Sequence, residues 1–171
     1  MKKLKSVLLL LLAAALCFAF AGCGGTDDEE DPQGQDAVID ISANEAINTF
    51  LNQYNLDAEY RVSNEDCSEV TSTSADVRIT DDLLMRVSSI EGPVTVMLEF
   101  SDLDDEVVEA VTRDAIIALS PNSLYDDVTA MVEQFRNEPD QYVNDYMIDE
   151  VRCSFMRGDG GMYQIGIYEP M

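Results

Sequence analysis

Between Ala58 and Phe100 apolar residues recur at every second position, and this period constrains the fold more than any other feature of the chain. A period of two belongs to strands with one face in a core and the other in water. Tyr60 and Val62 alternate with Glu59 and Arg61, and Val77 and Ile79 with Asp76 and Arg78. Leu83, Met85 and Val87 follow, then Val94, Val96, Leu98 and Phe100. Glu91-Gly92-Pro93 is a turn signal between the last two runs. The pattern predicts an antiparallel meander of roughly three to five strands. Ser68 to Ala75, rich in Ser and Thr, fits either strand or loop.

Helical periods flank this region. Ile47, Phe50, Leu51 and Tyr54 form one apolar stripe, and Ser42 with Glu45 reads as a capping box. A helix is predicted over about 43–55. After Phe100, acidic residues crowd the start of a second helix, where the helix dipole favours them. Leu103, Val107, Ala110, Val111, Ala115 and Ala118 share its face, and Ser120-Pro121-Asn122 stops it. Ser123 and Asp126 start a third helix, with Leu124, Val128, Met131, Val132 and Phe135 inward and Pro139 beyond its end. These two helices form a predicted αα-hairpin.

The chain closes with a predicted β-hairpin. Val151, Cys153 and Phe155 face one way on its first arm, and Tyr163, Ile165 and Ile167 on its second. Asp159-Gly160-Gly161 supplies residues that tolerate positive φ at the tip. Tyr142 to Met147 fits no element. The expected fold is α+β: N-terminal helix, antiparallel β-meander, αα-hairpin and C-terminal β-hairpin in a two-layer sandwich.

The N-terminus is of another kind. Lys2, Lys3 and Lys5 are all the lysines of the chain, and an apolar run from Val7 to Phe20 follows them. This is the charged start and apolar core of an export signal, shorter than the ~20 apolar residues of a spanning helix. Small residues then precede a cysteine in Phe20-Ala21-Gly22-Cys23. This box resembles that of bacterial lipoprotein precursors, with Phe20 where leucine is usual. The resemblance covers the signal only. It implies cleavage before Cys23, a diacylglycerol on the Cys23 thiol and a membrane anchor on the extracytoplasmic side. Residues 1–22 are then the signal peptide and 23–36 a tether; residues 37–171 form one domain. The stretch TDDEEDPQGQD has no apolar residue with which to fold.

Charge narrows the function. All 34 acidic residues lie beyond Cys23, against seven basic residues, every one an arginine, so the mature charge is −27. Nucleic-acid binders need a basic footprint, and this chain has none. The chain contains no histidine, and the mature part no lysine. That removes the commonest general base, the commonest nitrogen metal ligand and the Schiff-base nucleophile. No metal, no cofactor and no enzymatic activity are expected. The cluster Asp102, Asp104, Asp105, Glu106 and Glu109 suits calcium by ligand type, but lacks the EF-hand glycine and reads as a helix N-terminus. Arg157-Gly158-Asp159 resembles the exposed loop of integrin ligands, yet Arg before Gly-Asp-Gly-Gly is also ordinary hairpin chemistry. Cys67 and Cys153 are expected to form a disulfide in an exported protein, worth about 4–5 kcal/mol in the chain-entropy model; free thiols are the alternative.

The expected function is therefore a lipid-anchored extracytoplasmic domain with a non-catalytic binding or structural role, contacting the membrane through Cys23 and another envelope protein through its surface. A small-ligand carrier or sensor, with a pocket between sheet and helices, is the alternative. A carboxylate-based enzyme ranks below both.

Overall fold

A computed structural model of the chain describes residues 38–90, 92–123 and 125–170. The expected signal peptide (1–22), Cys23 and the expected tether to residue 36 lie outside the described residues, as do Glu91 and Leu124. The chain is α+β with a sheet-dominated core. Its helices are α1 (Glu45–Asp57), α2 (Glu106–Leu119) and α3 (Tyr125–Asn137). Its strands are β1 (Cys67–Ser68), β2 (Ser74–Arg78), β3 (Leu83–Ser89), β4 (Val94–Phe100), β5 (Val143–Ile148), β6 (Val151–Arg157) and β7 (Tyr163–Tyr168). They form one seven-stranded sheet, ordered β1-β2-β3-β4-β7-β6-β5, with every neighbouring pair antiparallel.

The alternation sets which face is buried. Val94, Val96, Leu98 and Phe100 of β4 are at most 4% exposed. Leu98 pairs Met85 on one side and Ile165 on the other, and Ile165 pairs Phe155. These side chains share one face and join the helix residues Ile47, Phe50, Val111, Ile116, Met131 and Phe135 in a single core. Each fully buried aliphatic or aromatic side chain contributes about 1.5–3 kcal/mol. Phe135 of α3 stacks on Phe155 of β6 at 4.4 Å between ring centres. Among the described residues, no helix is long and apolar enough to cross a membrane.

Asparagines of α1 hold the chain on both sides of the helix. Asn44, not Ser42, is its N-cap, and Asn44 Oδ1 accepts the Ala46 N–H. Ser42 Oγ instead accepts the Asn44 N–H and donates to Thr71 O, so the predicted Ser42 box does not form. Asn48 Oδ1 accepts from Ile41 and Ser42, and Asn52 grips Ile39 through both its backbone groups. Asn55 does the same to Val62, accepting its N–H at 2.9 Å and donating to its carbonyl at 2.7 Å. Tyr54 Oη donates to Tyr60 O. Tyr60 and Val62 are therefore not in a strand. Their backbone is satisfied by side chains of a helix, which removes the need for a strand partner.

Two further expectations change. Tyr142 to Met147 belongs mostly to β5, so the closing hairpin is one part of a three-stranded β5-β6-β7 unit whose last strand pairs with β4. Cys67 and Cys153 are free thiols. They sit on β1 and β6, which are five strand-to-strand steps apart. At ~4.8 Å per step that is about 24 Å, whereas a disulfide needs Cα atoms within about 7 Å. The expected bridge does not fit this fold.

Candidate functional site

Among the described residues the second face of the sheet carries no helix, and the strand register arranges its side chains in rows. One row runs Asp76, Arg86, Met97, Gly166, Ser154 across β2, β3, β4, β7 and β6. The next runs Arg78, Leu84, Glu99, Gln164, Met156. A third runs Ser74, Ser88, Thr95, Tyr168, Arg152 and ends at Met147 of β5. Antiparallel sheets commonly leave one such face in water.

Several polar groups of this face are paired within it. Arg86 forks onto Asp76, with Nε 2.6 Å from Oδ1 and Nη2 2.7 Å from Oδ2. That bond, above all, raises the Arg86 guanidinium beyond its ordinary range. Gln164 Nε2 donates to Glu99 Oε1 at 2.7 Å. Arg152 lies 4.4 Å over the Tyr168 ring and 3.8 Å from Asp145. Ser154 Oγ and Tyr168 Oη share a hydrogen bond of 3.2 Å.

Charge balance sets this face apart. On its strands the carboxylates are Asp76, Glu99 and Asp145 and the arginines Arg78, Arg86 and Arg152; Asp81 and Asp82 adjoin Arg78 and Glu99 at its edge, and the Glu69 charge acts on Arg86. The strands of this face thus carry as many arginines as carboxylates, on a chain of net charge −24. Nearly all the excess carboxylates lie on the helices and loops.

A groove of about 780 Å³ lies at one end of the molecule, between α1, the end of α2, the β3–β4 turn and the residues after β7. Phe50 and Val94 form its floor, and Pro93, Pro121 and Pro170 stand around it. Among the described residues its charged lining is Glu45 and Glu169. Glu169 Oε2 accepts the Val94 N–H at 2.6 Å, and the Glu169 N–H donates to Val94 O at 3.0 Å.

A second cleft is lined by four carboxylates, Glu59, Asp104, Glu106 and Glu109, and by two arginines, Arg113 and Arg136, both of them paired. Arg136 donates to Glu109 Oε2 and to Leu103 O, joining α3 to α2 and to the turn before it. Arg113 pairs with Asp114 and Glu59 and lies 5.4 Å over Tyr125. Asp114 also accepts the Glu59 N–H, so these charges hold the 58–62 segment to α2.

The acidic cluster at the start of α2 caps the helix. Asp105 Oδ1 accepts the Val107 N–H and Asp102 Oδ1 the Asp104 N–H. Among the described residues, no group of His, Cys, Asp or Glu is arranged to hold a metal ion. Arg157 of the RGD triplet donates to Asp140 at 2.7 Å and lies 5.5 Å over Tyr163; the Asp159 side chain lies outside the described residues. Burial pushes the Cys153 thiol up to about 12. Burial, then the Asp66 charge, pushes Cys67 up to about 11. Both groups are thiols rather than nucleophilic thiolates at neutral pH.

No known protein family, curated protein or solved structure matches the chain. Sequence reading did not find the open face. Its residues come from six strands, β2 to β7, and the β4–β7 pairing brings its two halves together.

Proposed function

We propose that the chain is a lipid-anchored extracytoplasmic binding domain, held to the membrane through Cys23, that docks another envelope protein on the open face of its sheet. The two-layer arrangement, helices on one side and water on the other, supports this reading. The observation that carries it is the charge balance of that face.

Charge far from zero repels acidic neighbours and keeps a chain in solution. A partner approaching the helices or loops meets unbalanced carboxylates. On the open face it meets Met97, Leu84, Met156 and Tyr168 among carboxylates already paired within the face. Depletion of unpaired charge with Met, Tyr and Arg present is the composition of an interface core. The lysine-led apolar run and Phe20-Ala21-Gly22-Cys23 support the anchor. Two or three acyl chains hold where one does not. A tether of about 13 residues spans roughly 20 Å on average, which raises the local concentration of the domain near membrane partners.

Crosslinking from intact source cells tests the reading, using tagged full-length protein beside a Cys23→Ala control. The expected result is one partner in near-stoichiometric yield, lost with Cys23→Ala. No partner in either sample sinks the proposal.

A further inference from the structure

We infer that the proline-rimmed groove beside α1 is a binding site for a small organic cation with an apolar body. This goes beyond the docking reading and does not depend on it. Three observations carry it.

The first is shape. At about 780 Å³ the groove falls in the ~300–1,000 Å³ range of small-molecule sites. Three of the chain's five prolines stand around it: Pro93, Pro121 and Pro170. Proline fixes φ, so these walls lose little freedom when a ligand enters.

The second is the floor. Phe50 and Val94 are 3% and 4% exposed, and half-buried Leu119 closes one side. An apolar body gains by covering such a surface.

The third is charge. Glu45 and Glu169 line the groove, and no arginine does. The second cleft has the same excess of two carboxylates, but among the described residues Tyr60 and Ala110 are its only uncharged lining, so it offers no comparable apolar floor. Glu169 is held beside the groove by its backbone bond to Val94 O and by its Oε2, which accepts the Val94 N–H. Glu45 sits in the first turn of α1 and offsets the positive end of the helix dipole there. An anion would meet two carboxylates. A neutral apolar molecule would strip water from them without replacing it. A cation with an apolar body satisfies floor and rim together.

The test uses full-length protein with ¹³C-labelled methyl groups in nanodiscs of uncharged phospholipid. Phenethylamine is the probe, and phenylacetate is its anionic counterpart. The expected result is saturable shifts at Val94 and Leu119 with phenethylamine, and binding of phenylacetate at least about tenfold weaker. Glu45→Gln and Glu169→Gln should each weaken the amine about three- to tenfold. Glu169→Gln keeps an acceptor for Val94, so the fold is retained. Equal binding of the two probes, or no saturable shift with the amine, overturns the inference. Capture of an envelope protein by a photocrosslinker at Gln53, which also lines the groove, without any shift by the amine, overturns it in favour of a protein occupant while leaving the docking reading intact.

Discussion

Tyr168 lies over Gly166. A Cβ at Gly166 would stand 2.7 Å from Tyr168 Oη, 3.1 Å from its ring and 2.5 Å from Ser154 Oγ. The glycine is needed for this close approach and not for its backbone angles. It lets an aromatic ring lie along the open face, where Arg152 then rests on the ring.

Gly166→Ala therefore disturbs the face more than the fold. The obstructing atoms are the ends of side chains, which swing aside while the strand stays paired. The expected cost is about 1–2 kcal/mol by urea denaturation. Loss of partner crosslinking should exceed what that cost explains.

The Asp76–Arg86 fork responds asymmetrically. The Asp76 side chain is 8% exposed and that of Arg86 44%. Arg86→Ala leaves a buried carboxylate without its partner, and about 2–3 kcal/mol of stability should be lost. Changing both residues to apolar ones of similar size should restore most of it, and a double-mutant cycle measures the difference.

Asn55 and Asn52 make the same pair of bonds in different surroundings. Those of Asn55 to Val62 are buried, whereas those of Asn52 to Ile39 are part-buried. Asn55→Ala leaves a buried N–H and C=O unsatisfied, at about 2–4 kcal/mol. Asn52→Ala exposes its partners to water and should cost about 1 kcal/mol. It should also speed amide exchange at Ile39 without affecting the sheet.

Cys67 and Cys153 should remain unbridged after purification under oxidising conditions, with no mass change on reduction. An external disulfide reagent at neutral pH should reach Cys67 slowly and Cys153 only on unfolding. The folded Cys153 value, about 12, lies above the ordinary 9.0. Its contribution to stability is complete below pH 9 and is lost as pH rises from there toward 12. Cys153→Val should flatten the fall in stability over that window.

Much of the fold is legible in the residues. The stripe Ile47, Phe50, Leu51, Tyr54 and the alternation Val94 to Phe100 each serve a single buried face, so period and structure agree. β5 is obscure because a bulge between Val143 and Tyr146 breaks its alternation. The turn after it, Asp149-Glu150, places Asp149 at φ 54 without the glycine that would mark it. Tyr60 and Val62 have a strand's pattern, but Asn55 and Tyr54 take the place of a neighbouring strand. The open face is hidden for another reason. The charge balance along its strands depends on which strands are neighbours, and β7 reaches β4 across two helices and two strands of sequence.

A photocrosslinking residue placed at Thr95, and separately at Leu56, tests docking on the open face most directly. Thr95 lies in the third row of that face, and Leu56 is exposed on α1. In intact cells the account predicts one partner adduct from Thr95 and none from Leu56. An adduct from Leu56 alone, or from neither position, would contradict it.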